Sequence, residues 1–174
     1  MSRCFVGLGT NLGDRLAFLR AACEALGALP QTELHACSSV WETRPVGPGT
    51  GPYLNAAVEL RSELDPEALL VELARIEDQL GRVRRERWGD RSIDLDLLGV
   101  LEVDGVELRR ASEHLTLPHP GVHQRDFVLT PLLELDAQLE LDGQRCADSL
   151  AALSESERTL LRRFGELGRP SSPW

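Results

Sequence analysis

The chain has 174 residues, 42% apolar and 27% charged, which is a soluble globular balance and excludes a disordered or collagenous chain. A chain of this length buries roughly 70% of its unfolded surface without disulfide staples, so one domain over residues 1–174 is expected, with 169–174 as a loose tail. A net charge of -9 argues against a general nucleic-acid or anionic-membrane partner.

No apolar run of about 18 residues is present, so no membrane span is expected. Met1 to Gly7 carries no export-signal core, which points to the cytoplasm. Cys4, Cys23, Cys37 and Cys146 are then expected as reduced thiols filling small core spaces, and none has a paired zinc spacing. The charge is uneven. Residues 82–91 hold five Arg against two acids, net +3, leaving -12 for the rest. A small basic loop on an acidic body suits a small polyanionic ligand better than a long duplex.

In chain order, Cys4 to Leu8 reads as a short buried strand, followed by a turn at Gly9-Thr10-Asn11-Leu12-Gly13. Asp14 caps a predicted helix with Leu16, Leu19, Cys23 and Leu26 on one face, ended by Gly27 and Pro30. Glu33 to Trp41 reads as one strand. Glu42 to Pro52, with three Gly and three Pro, reads as a loop, and Tyr53 to Leu60 as a strand. Asp65-Pro66 starts a helix carrying Leu69, Leu73, Ile76 and Leu80, which Gly81 stops. The Arg loop follows, then a strand over Ile93 to Leu98 and a hairpin around Asp104-Gly105. Beyond a Pro/His segment, the pattern predicts a short helix near Phe127–Leu133, a strand near Leu139–Leu141 and a helix from about Ala147. The order β-α-β, β-α-β predicts an α+β sandwich of the ferredoxin-like kind, with a mainly antiparallel sheet, helices on both sides and long active-site loops.

The sharpest chemical signal is Asp94-Leu95-Asp96. Residues two apart on a strand share a face, so Ile93, Leu95 and Leu97 enter the core while Asp94 and Asp96 stand together on the other side. Two neighbouring carboxylates repel unless a proton or cation lies between them. Mg²⁺ prefers oxygen ligands and retains waters and phosphates, and a pair of such ions about 4 Å apart suits phosphoryl chemistry. Arg82, Arg84, Arg87 and Arg91 lie just upstream. Acids for metal beside bases for phosphate are the parts of a phosphoryl-transfer site. His119 and His123 are four apart and face one way if helical; contacts from a His and an Arg to phosphate suit them better than zinc. Tyr53 and Asn55, on one side of a strand, supply the aromatic and the amide that a flat hydrogen-bonding heterocycle needs.

The run Gly81-Arg82-Val83-Arg84 … Arg87-Trp88-Gly89-Asp90-Arg91-Ser92-Ile93-Asp94-Leu95-Asp96-Leu97-Leu98 resembles the signature of the 6-hydroxymethyl-7,8-dihydropterin pyrophosphokinases of folate biosynthesis. Further similar segments fall in the family's order: Gly7 to Asp14, Tyr53 to Val58, Arg75-Ile76-Glu77, and Leu117-Pro118-His119-Pro120 through Phe127-Val128-Leu129. The resemblance implies Mg²⁺-dependent transfer of the terminal pyrophosphoryl group of ATP to the pterin hydroxymethyl, releasing AMP. It implies that Asp94 and Asp96 hold two Mg²⁺ ions and that Arg82 and Arg91 bind the phosphates and stabilise the transition state. Arg84 and Trp88 would belong to a lid over ATP. Glu77, His119 and Arg125 would belong to the ATP side, with Thr116 and the backbone of Leu97 at the nucleoside. Tyr53 and Phe127 would sandwich the pterin, with Gly9, Asn55 and the backbone of Thr43 and Val46 around its edge.

Asp90, Ala74, His114 and Arg44 depart from residues common in that family, but no metal ligand is lost. The expected partners are the two small-molecule substrates, with no nucleic acid or membrane, for a monomer or weak dimer. Other readings are a catalytically silent ferredoxin-like binding module, a dinucleotide-binding enzyme built on Gly7 to Gly13, and a nuclease-like two-metal enzyme.

Overall fold

A computed structural model describes residues 1–45, 51–81 and 92–168. Strand β1 (Ser2–Thr10) runs through the middle of the sheet. Burial of both its faces explains why it reads as an apolar run rather than an alternation. Cys4, Val6 and Leu8 face one core; Phe5 faces the other. Helix α1 (Arg15–Gly27) starts where Asp14 Oδ1 accepts the Ala17 N–H at 3.1 Å, and it buries Leu19, Ala22, Cys23 and Leu26.

The predicted strand 33–41 is two strands, β2 (Thr32–Cys37) and β3 (Ser39–Thr43). Both pair with β4 (Tyr53–Ser62), β2 along Val58–Ser62 and β3 along Tyr53–Asn55. Ser38 makes the step between them: its N–H donates to Ala57 O, and its Oγ accepts the Ala57 N–H at 2.9 Å. A side-chain oxygen thus stands in for a ladder carbonyl. Glu42 and Thr43, expected in a loop, extend β3, because Leu54 and Tyr53 pair with them on one side. On the other side lies β10 (Leu160–Glu166). The sequence reading missed that strand, since an edge strand with two register shifts and mostly exposed side chains shows no clean period of two.

Helix α2 (Pro66–Gln79) begins as predicted, with Asp65 Oδ2 accepting the Glu67 N–H at 3.1 Å, and ends before Gly81 at φ +80°. Strand β5 (Asp94–Leu101) pairs with β1. The Asp104-Gly105 hairpin is reduced to one bridge, Leu101 to Glu107, closed by the Glu102 N–H on Val106 O at 2.8 Å. Two short strands follow, β6 (Arg110–Ala111) and β7 (Thr116–Leu117). Helix α3 (Asp126–Leu135) begins one residue earlier and ends two later than expected. After β8 (Glu140–Leu141) and β9 (Gln144–Arg145), helix α4 (Cys146–Ala152) has only seven residues.

The main sheet runs β10-β3-β4-β1-β5, with β2 also on β4, and every described pair is antiparallel. This is the expected ferredoxin-like arrangement. One core lies between the sheet and α1 and α2, with Leu19, Leu26, Leu69, Leu73 and Leu95. The other lies beneath α3 and α4, with Phe5, Ala57, Leu98, Leu129 and Leu132. All four cysteines are free thiols, three of them buried. No described helix is long and apolar enough to cross a membrane.

Glu42 ties three elements together on the α1 side. It accepts from Arg162 Nε of β10 at 2.8 Å and from Arg15 Nη2 of α1 at 3.0 Å, while Arg15 Nη1 donates to Pro52 O at 2.8 Å. The Arg162 hydrogen bond, more than any other contact, holds the Glu42 carboxyl below its ordinary range. A depressed carboxyl stabilises the fold above its unfolded pKa and loses that contribution as pH falls. Glu42→Gln is therefore expected to lower the melting temperature at pH 7 by about 5 °C, the effect of about 1–2 kcal/mol in a chain of this size. The gap to wild type should close as the pH drops below about 4.5 in a thermal-melt series. A gap that stays constant with pH would exclude the ion pairs as its source.

Candidate active site

The site is built on the α3 face of the sheet, where three strands run side by side. Gly9 of β1 lies between Asn55 of β4 and Asp94 of β5, and Gly7 lies between Ala57 and Asp96. Each row thus reads across three strands to an acid, with a glycine at its centre. Alternate residues on β5 point the same way and are separated by about 7 Å along the strand, so both carboxylates look onto the glycine floor. Leu95 and Leu97 point into the opposite core, as the alternation predicts.

The glycines keep this floor low. A Cβ on Gly9 would lie 3.0 Å from Asn55 Oδ1, and one on Gly7 would lie 3.3 Å from Leu98 Cδ1. Asn55 is itself 7% exposed, and its Nδ2 donates to Thr43 Oγ1 at 2.7 Å. That bond fixes the amide and leaves Oδ1 over Gly9 as an acceptor. Thr43, Arg44 and Tyr53 rise from the ends of β3 and β4, and Arg125, Phe127 and Val128 come from the start of α3. Together with Gly7, Gly9, Asn55, Asp94 and Asp96 they line one cleft, mostly apolar with a few convergent polar groups. Gly121 gives Arg125 its seat, since a Cβ there would lie 3.0 Å from the guanidinium carbon. The Arg125 guanidinium carbon lies 5.9 Å from the centre of the Phe127 ring.

A second group of predicted residues lies off the outer edge of β5. The His119 N–H donates to Leu98 O at 2.8 Å, and His119 Nδ1 accepts the Gly121 N–H at 3.1 Å. This bond leaves the ring proton on Nε2. Burial first, then the nearby Arg125 charge, push the imidazole pKa down, and Asp94 opposes them. His119 is thus a neutral donor near both Arg125 and Asp94. Thr116 is an exposed residue of β7, paired with Ala111. Leu97 turns its side chain into the core, which leaves only its backbone for a ligand. Glu77 on α2 is 4% exposed, and its Oε1 accepts the Leu95 N–H at 2.7 Å. It therefore grips the strand between the two acids and does not line the cleft.

His123 does not share a helix face with His119. It sits in a single 3-10 turn, Val122–Gln124, with its ring nitrogens 2.7 Å from Ser149 Oγ and 2.8 Å from Leu141 O. It is a structural link to α4. Val46, Arg82, Arg84, Trp88 and Arg91 fall outside the described residues. Among the cleft-lining residues, Gly7, Ala57 and Val128 were not singled out from the sequence. Their signal was the two-residue spacing of Gly7 to Gly9 and of Asn55 to Ala57, which becomes legible once the strands are in register.

Among the described residues no cluster of three or more His, Cys, Asp or Glu forms a metal cage. The donor set is nonetheless suitable for Mg²⁺: two hard carboxylates on an open floor, leaving the remaining positions to water and phosphate.

Comparison with known proteins bears on this arrangement. The profile of the family described as 7,8-dihydro-6-hydroxymethylpterin-pyrophosphokinase (HPPK) matches residues 5–137. A Haemophilus influenzae 2-amino-4-hydroxy-6-hydroxymethyldihydropteridine pyrophosphokinase is 40% identical over 151 residues, covering 86% of this chain and 91% of the relative. The enzyme of the same name from Methylorubrum extorquens is 42% identical over 157 residues, covering 90% and 96%. Among solved structures, an HPPK-DHPS in complex with substrates superposes with a TM-score of 0.66 at 13% identity over 89% of this chain. Plasmodium falciparum HPPK-DHPS does so with 0.62 at 13% identity over 87%. This chain spans 44% and 43% of those two chains, and the likeness to them is one of fold. With the profile match over most of its length and relatives at about 40% identity, the chain belongs to the 7,8-dihydro-6-hydroxymethylpterin-pyrophosphokinase family.

Proposed function

We propose that the chain transfers the terminal pyrophosphoryl group of ATP to the hydroxymethyl oxygen of 6-hydroxymethyl-7,8-dihydropterin, with Mg²⁺ bound and AMP released. The hydroxyl oxygen bonds to the β-phosphorus, the bond from that phosphorus to the α,β-bridging oxygen breaks, and AMP leaves with the bridging oxygen. One proton is released from the hydroxyl. The observation that carries this reading is the pair Asp94 and Asp96 on the floor of an apolar cleft whose edge holds Asn55.

In this reading the pterin lies in the cleft, against Tyr53 and Phe127. Asn55 Oδ1, fixed by the Thr43 bond, accepts from an N–H on the ring edge. Gly9 lets the ring approach the sheet backbone. Thr43 and Val46 read the edge through their backbones. Asp94 and Asp96 would hold two Mg²⁺ ions, which when bound screen the triphosphate charge and lower the hydroxyl pKa. Arg125, beside Phe127, and the Nε2–H of His119 face the phosphates from the β5 edge. A neutral His119 donates there without adding a charge in the unliganded protein. Thr116 and the Leu97 backbone lie on the nucleoside side. Glu77 acts on this scheme through Leu95, holding the strand between the acids. Arg82 and Arg91 are proposed as the cations on the transferring group, and Arg84 and Trp88 as part of the cover over ATP. The chain works as one pyrophosphokinase unit without nucleic acid or membrane.

Incubation of the protein with ATP, Mg²⁺ and the hydroxymethyl-dihydropterin, followed by phosphorus NMR, is expected to show AMP and the pterin diphosphate. ADP would mean an ordinary kinase, and no turnover would favour a silent binding module. Asp96→Ala should lower turnover by on the order of 10³-fold, the scale of losing one transition-state charge partner, with an unchanged melting curve. Chelation of Mg²⁺ should stop wild-type turnover and re-addition restore it. Retained activity in either case removes the metal pair from the reaction. Gly9→Ala, which crowds Asn55 Oδ1 at 3.0 Å, should raise the pterin KM about tenfold with the ATP KM held. An unchanged pterin KM would place the ring elsewhere.

A further inference from the structure

Asp126 lies between two cleft residues, Arg125 and Phe127, yet it turns away from the cleft. It is 1% exposed at the first position of α3. Its Oδ2 accepts the Leu160 N–H at 2.9 Å and the Thr159 N–H at 2.5 Å, and its Oδ1 accepts the Thr159 hydroxyl at 2.6 Å. The same short segment reaches the opposite wall. Thr159 O accepts the Arg44 N–H at 2.9 Å, Arg158 O accepts from the Arg44 guanidinium, and Leu160 pairs with Thr43. Thr43 and Arg44 line the cleft on the β3 side, and Arg125 and Phe127 line it on the α3 side. The chain from Arg158 to Leu160 therefore straps one wall to the other, and Asp126 is its anchor on the helix.

We infer that Asp126 is a positioning residue that sets the width of the ring-binding cleft by clamping the first turn of α3 to the start of β10. This rests on the assignment of the cleft to the pterin. A buried carboxylate with three donors has its charge met by charge-assisted hydrogen bonds, which are short and directional. A flat ring held between two walls is sensitive to their spacing, and displacement by about 1 Å can cost 10²-fold in a reacting geometry. The far end of α3 carries a second tie to the sheet, on β3. Glu134 accepts the Ser39 N–H and the Trp41 Nε1–H, each at 2.7 Å, and is not a lining residue of the cleft. It offers an internal control, because loosening it weakens helix-to-sheet contact without touching the strap.

The test compares Asp126→Asn, Thr159→Val and Glu134→Gln with wild type. Asp126→Asn keeps the volume but loses the charge: with its oxygen on the two N–H donors, its N–H₂ meets the Thr159 hydroxyl, which can then no longer donate to residue 126. Thr159→Val loses only the hydroxyl bond. The readouts are affinity for 6-hydroxymethyl-7,8-dihydropterin, affinity for α,β-methylene-ATP, the split of KM against kcat, and amide hydrogen exchange at Arg44 and Leu160. Asp126→Asn is expected to weaken pterin binding about tenfold and Thr159→Val about threefold, with nucleotide affinity held within about twofold. Exchange at Arg44 should rise in Asp126→Asn but not in Glu134→Gln, which should lower the melting temperature while keeping pterin affinity. Should Asp126→Asn fail to fold, Thr159→Val decides by the same asymmetry. Equal loss for both ligands, unchanged pterin affinity in a folded variant, or the same pterin loss in Glu134→Gln would overturn the inference. Unaltered exchange at Arg44 in Asp126→Asn would overturn the strap alone. Absence of pterin binding by wild type would instead overturn the assignment of the cleft, and this role with it.

Discussion

The strand register across β4, β1 and β5 is the constraint on which the site depends. Asn55, Gly9 and Asp94 share one row, and Ala57, Gly7 and Asp96 share the next. A slip of one residue on β5 would send Asp94 and Asp96 into the Leu-rich core and Leu95 and Leu97 onto the cleft floor. Burial of those two leucines therefore helps hold the acids on the cleft face. The ladder absorbs its irregularity further along, where a register shift beside Phe5 and Val6 makes Gly99 face the second core together with Leu98. There Gly99 admits Leu141, whose Cδ2 would lie 2.7 Å from any Cβ at that position.

Strand β5 is an edge strand, and three of its outer main-chain groups are taken up by the protein itself. Leu95 N–H goes to Glu77, Leu98 O to the His119 N–H, and Val100 O to the Leu108 N–H. An open edge invites pairing with another chain, and here that edge instead organises chemistry. The apolar cleft lies on one face of the strand, and the Thr116–His119 segment lies beyond its edge. The two carboxylates stand between them. Under the function proposed above, that division suits a reaction in which a flat heterocycle and a polyanion must meet at one oxygen.

The polar residues flanking the cleft are held from behind. Glu42 joins α1 to β10 below the sheet, Glu134 joins α3 to β3 above it, and Asp126 joins α3 to the start of β10. In each case a carboxylate accepts two or more hydrogen bonds from residues distant in the chain, and for the buried Glu42 and Asp126 these bonds compensate a charge that burial would otherwise penalise. Strand β10 is the element that the Glu42 and Asp126 ties have in common. The C-terminal part of the chain thereby belongs to the architecture of the site even though its own side chains are mostly exposed.

Local rules were enough for much of the chain. Asp14 and Asp65-Pro66 marked both helix starts, because capping is an interaction within three residues. Alternation in Ile93 to Leu97 assigned the acids to one face and the leucines to the other, because strand geometry has a period of two. The resemblance carried by separated motifs named the family before any fold was known. Contacts between residues distant in the chain were not legible. The step at Ser38 depends on Ala57, the strand at Leu160–Glu166 exists because β3 offers an edge, and Glu77 reaches Leu95 only after α2 packs on the sheet. His119 and His123 looked alike in sequence, yet one caps the Gly121 N–H beside the β5 edge while the other bonds Ser149 and Leu141. Spacing along a chain sets which way a residue points within its own element. Which partner it meets there is decided only when elements separated by dozens of residues close against one another and bury their apolar faces.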